Sequence, residues 1–265
     1  MSPGPKLPRI FWCPTGPFSF LPIHAAGLYG ATNPGPKLSD SAISSYIPTM
    51  SALELPRQED SEAASRNIRL LAVPQPSSDG RNHLAGVRGE IEIIKKLTSS
   101  SPFVGFQETD GTVEDVLSKM TETDWVHFAC HGMQDPADPL YSGFLLAHDR
   151  RLKLSDIVRV SRPRGGLAFL SACNTAAGDE RLSEEAIHVA AGMLLAGYSG
   201  TIATMWSITD NDAPRVTEDV YKSLFGDGKV PDSRLAAEAL HHAIERLRDS
   251  GVSFLSWVPF IHVGL

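Results

Sequence analysis

Cysteine is scarce in this chain, which contains three among its 265 residues. Disulfide frameworks need paired cysteines at a much higher density and occur chiefly in small secreted domains. The N-terminal segment is interrupted by prolines and lacks the apolar core of a secretory signal peptide. We therefore expect reduced thiols and a cytoplasmic location, with the nucleus left open.

Long apolar runs and stripes of positive charge are also missing. Nothing in the sequence approaches the roughly 18 consecutive apolar residues that span a membrane. The formal net charge is −7, and there is no basic stripe of the kind that follows a nucleic-acid backbone. We therefore expect neither a membrane nor a nucleic-acid partner. The hydrophobic fraction of 42% is enough for one large core or two small ones.

Recognised phosphate and metal motifs are absent as well. The sequence has no Gly-x-Gly-x-x-Gly, no Walker Gly-Lys-Ser/Thr, no Cys-x-x-Cys and no His-Glu-x-x-His. Two adjacent pairs, Cys130-His131 and His241-His242, have the residue types of metal ligands but no second pair at a recognised spacing. Because adjacent helical positions point in different directions, we expect at most one of His241 and His242 to face any given site. We expect no metal and no cofactor.

From residue 67 onward, apolar segments alternate with helical patterns. Apolar residues recur at helical spacing in five segments: 87–97, 113–120, 183–197, 212–226 and 232–251. Five short apolar runs have the composition of buried strands: 67–73, 126–131, 167–173, 201–206 and 257–263. This alternation predicts an α/β sandwich with a mainly parallel sheet. Pro259 within the last run predicts an edge strand or a bulge.

The first 66 residues differ from the rest in composition. They are rich in Pro, Gly and Ser, with two short apolar pieces at 9–13 and 42–47 that we interpret as strands between irregular loops. We therefore divide the chain into an N-terminal extended segment, 1–66, and a core, 67–265, within one domain overall.

Two of the apolar runs end at a reactive side chain, His131 in one and Cys173 in the other. Apolar runs bounded by Gly and polar residues are typical of buried parallel strands. In open α/β sheets, ligands bind just beyond the carboxyl ends of such strands. A cysteine reacts as its thiolate and needs a base nearby, which a histidine supplies. The pair therefore predicts a cysteine nucleophile with its base.

The residues next to this pair fit the same chemistry. Gly132 has no Cβ, so its N–H and that of Cys173 are candidates for an oxyanion hole, and Ser171 is small and leaves room beside the sulfur. Taken alone, Cys173 is more often a small core residue, and His131 a hydrogen-bonded structural histidine. Because both residues lie at the end of an apolar run, a catalytic role for the pair is favoured instead. Cys130 points to the opposite face by strand alternation and is expected in the core.

Segments 124–132 and 169–180 resemble the histidine and cysteine motifs of CHAT domains, a family of caspase-like peptidases. The first reads Asp-Trp-Val-His-Phe-Ala-Cys-His-Gly and contains His131; the second begins Phe-Leu-Ser-Ala-Cys-Asn-Thr and contains Cys173. The resemblance extends, in order, to 21–27, 202–210 and 257–264. It implies a caspase-hemoglobinase-like α/β/α sandwich with a mainly parallel central sheet, and an endopeptidase with a Cys-His dyad.

Separase, a relative of this family, is similar around residues 206–212, where acidic residues lie near the substrate side chain that precedes the cut. Asp210 and Asp212 match that pattern, and a carboxylate there would favour Arg or Lys by charge-assisted pairing. Alternatives stay open at this point. Asp212 fits a helix cap, Asp210 fits a plain loop residue, and Trp206 is equally well a pocket wall or a core residue.

The same resemblance implies a protein or peptide substrate, and it leaves open an activating protein partner or an upstream repeat domain. CHAT domains usually carry helical sequence before the segment that here begins Leu21-Pro22. This chain has almost none there, so it resembles a domain cut from a longer protein or a short paralogue. The alternative function is a non-catalytic caspase-like scaffold or signalling adaptor. The presence of both dyad residues argues against that alternative.

Overall fold

The computed structural model describes residues 6–30, 34–53, 67–75, 83–101, 104–109, 111–133, 135, 137–160, 166–171, 183–208, 211–226 and 230–265. The strands are β1 (Arg9–Trp12), β2 (Gly27–Tyr29), β3 (Pro34–Lys37), β4 (Ile43–Tyr46), β5 (Ile68–Pro74), β6 (Val104–Glu108), β7 (Trp125–Ala129), β8 (His131–Met133), β9 (Gly143–Leu145), β10 (Arg151–Lys153), β11 (Leu167–Leu170), β12 (Gly200–Thr204) and β13 (Phe260–Gly264). The helices are α1 (Gly86–Ser99), α2 (Val113–Met120), α3 (Leu154–Val160), α4 (Ser183–Leu195), α5 (Asp212–Phe225), α6 (Ala236–Asp249) and α7 (Phe254–Trp257).

An eight-stranded sheet forms the middle layer, in the order β1-β4-β13-β12-β11-β7-β5-β6. Strands β6, β5, β7, β11 and β12 pair in parallel, and so do β1, β4 and β13. The two parallel blocks meet where β12 and β13 pair antiparallel. The predicted α/β sandwich with a mainly parallel central sheet is therefore confirmed.

The sheet is covered on both faces, which explains why its central strands are largely apolar. All five residues of β7 and all four of β11 are buried. One face packs against α2, α3 and α4 through a cluster that includes Val126 and Phe128. The other face packs against α1, α5 and α6 through a cluster that includes Trp125 and Phe169. The result is an α/β/α sandwich with a core on each side of the sheet.

Local signals define several helix ends as the sequence predicts. The Thr112 hydroxyl accepts a hydrogen bond from the Asp115 N–H at 3.3 Å and so caps α2. Gly197, just after α4, has a φ of +103°, a conformation that favours glycine at helix ends. Asp232 accepts a hydrogen bond from the Arg234 N–H where a single 3₁₀ turn leads into α6. These ends are set by contacts over a few residues.

The last strand is not at an edge, so that prediction is wrong. β13 lies between β12 and β4 in the middle of the sheet, and the apolar run before it begins within the short helix α7. Pro259 immediately precedes the strand and so costs the ladder no donor. Its carbonyl accepts a hydrogen bond from the Met205 N–H at 2.8 Å.

The sequence analysis also missed several elements. Strands β6 and β10 and helix α3 were not predicted. Strand β10 pairs with β9, which lies in a segment, 143–147, whose pattern indicates a hairpin, and the two form a separate antiparallel sheet with β8. The apolar run predicted to end at His131 is in fact divided, because the chain bends at Cys130 and His131 opens β8. Each of these elements is shorter than eight residues, too short for a clear period to show in the sequence.

Strands β1 and β4 belong to the main sheet, next to β13. The N-terminal segment thus supplies two of the eight strands as expected from its apolar pieces, while residues 54–66, next to the proposed division at residue 66, lie outside the described residues. Among the described helices, none has the length and apolar character needed to cross a membrane.

Candidate active site

The carboxyl ends of β7 and β11 lie side by side. The two strands are parallel neighbours, with Ala168 opposite Val126 and Leu170 opposite Phe128. The chain leaves the sheet just beyond these pairs, towards His131 on one strand. Two predicted site residues, Cys173 and Asp210, lie outside the described residues.

His131 is held by a small sheet that packs on the large one. Its side chain is fully buried, and in β8 it lies opposite Leu145 of β9. The rings of Phe128 in β7 and Phe144 in β9 stack with centroids 4.1 Å apart and planes 5° apart. Because Phe144 is also the partner of Gly132 across β8 and β9, this stack fixes where the chain leaves β7.

The neighbours of His131 divide between core and edge. Cys130 is fully buried and belongs to the same apolar cluster as Phe128 and Phe144, so its predicted place in the core is confirmed. Gly132 is half-buried in β8. Its role in an oxyanion hole stays a prediction.

Ser171 does more than leave room at the end of β11. Its side chain is buried, with 4% of its surface exposed, and its hydroxyl donates a hydrogen bond of 3.0 Å to Oε1 of Glu90. Glu90 projects from α1 and is itself 2% exposed. The end of the strand that leads towards Cys173 is thereby tied to a helix on one face of the sheet.

Glu90 is the centre of a buried polar network, which we call the Glu90 network: Glu90, His127, Ser171, Thr217 and Tyr221. Oε2 of Glu90 accepts a hydrogen bond from the Thr217 hydroxyl at 2.9 Å and lies 3.1 Å from Nε2 of His127. Nδ1 of His127 lies 3.2 Å from the Tyr221 hydroxyl. Buried carboxylates are tolerated only when several donors satisfy them, as here.

Two groups of this network have defined roles. Burial, together with the nearby charge of Glu90, raises the pKa of Tyr221 well above its ordinary value, so its hydroxyl keeps its proton. A carboxylate only accepts hydrogen bonds, so Nε2 of His127 donates to Oε2 of Glu90. Each polar group of the network has a partner, and together they connect α1, β7, the end of β11 and α5.

Sequence reasoning missed the Glu90 network, although a signal for it exists. Glu90 follows Val87 by three positions and precedes Ile94 by four, which places a carboxylate on the buried stripe of α1. His127 likewise occupies a central position of a fully buried strand. An ionisable side chain on each of two buried surfaces indicates that the two pair across the core.

Trp206 and Asp212 follow β12 along the chain. Trp206 is half-buried and packs against both apolar clusters, as a core residue does. Asp212 is the first residue of α5 rather than its cap, since Asn211 precedes the helix. Its carboxylate is 6% exposed and lies 4.0 Å from Nη1 of Arg215. An acidic side chain in the first turn also interacts favourably with the helix dipole.

The expectation that His241 and His242 face different sites is wrong. Nδ1 of His242 lies 3.0 Å from Oε2 of Glu245, and Nε2 of His241 lies 3.6 Å from Oε1 of the same carboxylate. Both imidazoles converge on Glu245 because positions three and four apart on a helix share a face.

Comparison with known proteins shows the family to which this chain belongs. The sequence model of the CHAT domain matches residues 2–265. This chain is a CHAT domain. No protein among the curated sequences matches it.

Solved structures show that the CHAT domain has a caspase-like fold. The separase of Saccharomyces cerevisiae, crystallised in complex with securin, superposes with TM-scores of 0.52 and 0.53 at 15% identity. The match covers 86% of the CHAT domain and 14% of the separase chain. The Arg-specific cysteine proteinase gingipain R of Porphyromonas gingivalis is more distant, with 10% identity and a TM-score of 0.47 over 84% of this chain and 54% of that one.

Proposed function

We propose that the CHAT domain is a cysteine endopeptidase in which His131 is the general base and Cys173 is the nucleophile. The observation that carries the proposal is the parallel pairing of β7 with β11, since it brings the carboxyl ends of the two motif-bearing strands together. The burial of His131 beyond β7 supports it further. Membership of a family with caspase-like structural neighbours supports peptide-bond cleavage as the reaction.

The chemistry proceeds through an acyl-enzyme. His131 takes the thiol proton of Cys173, and the thiolate attacks the carbonyl carbon of the scissile bond. The N–H groups of Gly132 and Cys173 stabilise the resulting oxyanion. His131 then gives its proton to the leaving amine, which breaks the C–N bond and leaves a thioester. A water molecule, deprotonated by His131, attacks the thioester and releases the acid product with the free thiol.

We further propose that the substrate is a protein with Arg or Lys before the cut. The support is the match of Asp210 and Asp212 to the acidic pattern of separase, together with the low exposure of the Asp212 carboxylate. A carboxylate shielded from water pairs strongly with a guanidinium. Control by an activating protein or an upstream repeat domain belongs to the same proposal. The separase neighbour is crystallised with a protein partner.

An electrophilic peptide probe that reacts with active-site cysteines tests the reaction class. Labelling is expected at Cys173 in the wild-type chain and is expected to disappear in Cys173→Ala and His131→Ala. Cys130→Ala is the matched control, because it removes a buried cysteine of the core and should leave labelling in place. Absence of labelling in a folded wild-type chain, with and without candidate activators, would favour the non-catalytic scaffold.

The preference for a basic residue is tested separately with paired peptides. Substrates that differ only by Arg or Gln before the cut are compared in the wild-type chain and in Asp210→Asn and Asp212→Asn. The ratio of kcat/KM for Arg over Gln is expected to fall at least tenfold in one or both variants. An unchanged ratio in both variants would contradict the proposed pocket while leaving the dyad proposal intact.

A further inference from the structure

The middle of α6 carries three side chains with the chemistry of metal ligands, which we call the α6 cluster: His241, His242 and Glu245. One nitrogen from each ring and a carboxylate oxygen all lie within 4.8 Å of one another. Nδ1 of His242 lies 3.0 Å from Oε2 of Glu245, and Nε2 of His241 lies 3.6 Å from Oε1 of the same carboxylate. The Glu90 network and the β7–β11 edge share none of these residues.

These separations suit a small divalent ion. Zinc binds imidazole nitrogen at about 2.0–2.1 Å with tetrahedral geometry, which places neighbouring ligand atoms about 3.4 Å apart. The two separations to the Glu245 carboxylate lie on either side of that value. The His242 side chain is 47% exposed, so it has room to turn towards an ion.

His241 provides an independent sign of a ligand site. Its side chain is 7% exposed, and its Nε2 atom is buried with no hydrogen-bond partner among the described residues. Burial of a polar nitrogen without a partner costs free energy, and a bound ion would remove that cost. The atom faces Glu245 at a distance slightly beyond a hydrogen bond.

Charges of both signs lie around His241. The carboxylates of Glu245 and Glu238 act on it, and so does the guanidinium of Arg248. Because the carboxylates oppose the cationic group, the site is not closed to a cation by charge.

A fourth ligand has room to bind. His241 and Glu245 also line a cavity of about 50 Å³ between α6 and the strands β4 and β13. That volume is enough for a water molecule. Three protein ligands with water in the fourth position is the usual pattern of an open zinc site.

We propose that His241, His242 and Glu245 bind a divalent transition-metal ion, with zinc the best match to two imidazoles and one carboxylate. All three ligands lie within one and a half turns of α6. The ion therefore clamps the part of this helix that packs against α5 and the sheet. The site does not depend on the proposed peptidase activity.

The test measures metal binding directly. The protein is the tag-free chain with the substitution Cys173→Ala, which removes the thiol expected to compete for metal. It is stripped of metal with a chelator and then titrated with Zn²⁺ in a calorimeter. One ion per chain is expected, and the added substitution Glu245→Gln or His241→Asn should weaken binding at least tenfold. His148→Asn is the matched control, since His148 is an exposed histidine in another element, and it should bind as the parent does.

A thermal-unfolding series supplies the second readout. At a hundredfold excess of Zn²⁺ over the dissociation constant, the midpoint of the parent is expected to rise by roughly 5 °C, and that of the Glu245→Gln variant should not move. The proposal is overturned if the folded parent shows no saturable Zn²⁺ binding. It is equally overturned if Glu245→Gln binds Zn²⁺ as tightly as the parent. Neither result bears on Cys173 or on peptide cleavage.

Discussion

The Glu90 network and the α6 cluster use the same residue types in opposite ways. Each joins a glutamate to imidazole at about 3 Å, with 3.1 Å between Glu90 and His127 and 3.0 Å between Glu245 and His242. Glu90 and His127 are at most 2% exposed, whereas His242 is 47% and Glu245 30% exposed. The side-chain chemistry is shared, and the surroundings differ.

The difference teaches how burial decides what a His–Glu pair does. In the Glu90 network the carboxylate already accepts from Ser171 and Thr217, and the far nitrogen of His127 is engaged by Tyr221. A buried group whose hydrogen bonds are all made within the protein cannot bind a ligand as well. It connects the helices and strands that carry its partners. In the α6 cluster, Nε2 of His241 has no hydrogen-bond partner among the described residues, and solvent reaches Glu245.

The largest expected effect is at His131, which belongs to neither cluster. We predict that His131→Ala lowers kcat/KM for peptide cleavage roughly 10³-fold, because the thiol loses its base. His242→Ala should leave kcat/KM within twofold, since its side chain is exposed on α6 and takes no part in the proposed dyad. Both variants are assayed with one peptide substrate, with thermal unfolding as the check on folding. Equal losses in the two variants would contradict the assignment of catalysis to the β7–β11 edge.

The second prediction separates the two glutamates by stability. Glu90→Gln places an amide N–H₂ group where Oε1 or Oε2 now accepts hydrogen bonds, so at least one of Ser171, Thr217 and His127 loses its acceptor in a buried site. The free energy of unfolding is expected to fall by about 2–4 kcal/mol. Glu245→Gln should change it by less than about 0.5 kcal/mol in metal-free buffer. Urea titrations of both variants provide the comparison. A small effect at Glu90 would mean that the network contributes little to stability.

Acid should weaken the region beneath α6 through His24. Burial lowers the pKa of His24 to about 4 from an ordinary value of 6.5, and its ring nitrogens contact the Tyr46 hydroxyl and the Val258 carbonyl, both at 2.8 Å. Between these two pH values the unfolded chain binds a proton that the folded chain does not. Stability from this residue is therefore complete above about pH 6.5 and is lost as the pH falls towards 4.

The expected loss from His24 between pH 7 and pH 4.5 is about 2.5 kcal/mol. Urea unfolding at these two pH values is compared between the wild-type chain and His24→Asn, and the variant should lose less stability on acidification. His262, whose pKa burial and the nearby Arg9 also lower, contributes in the same direction and remains in both proteins. The same acid-induced loss in both proteins would show that His24 is protonated in the folded state.

The smallest expected effect is at an exposed ion pair that joins the two helices beside the clusters. Nε of Arg246 in α6 lies 2.8 Å from Oδ2 of Asp219 in α5, and the two side chains are 53% and 31% exposed. Exposed pairs of this kind contribute at most about 1 kcal/mol. Arg246→Ala should therefore lower the free energy of unfolding, measured by urea titration, by less than about 1 kcal/mol. A larger loss would show that the link between α5 and α6 depends on charge as well as on packing.

Local patterns predicted much of the fold but not its connections. The helical segments 113–120 and 183–197 were predicted because their ends depend on residues a few positions away, Thr112 before α2 and Gly197 after α4. The central place of β13 was missed, since its neighbours β4 and β12 lie far along the chain. The tie between Glu90 and Ser171 was missed for the same reason, as it joins residues 81 positions apart.

The family of this protein, its α/β sandwich and the apolar runs that lead to His131 and Cys173 can all be identified from the sequence. They depend on hydrophobic period, end signals and motif order, all of which are local or linear in the chain. The hydrogen bond between Ser171 and Glu90 and the convergence of two adjacent histidines on one carboxylate emerge only in the folded protein. Hydrogen bonding and burial depend on which surfaces meet across the sheet, and packing over the whole chain sets that pairing.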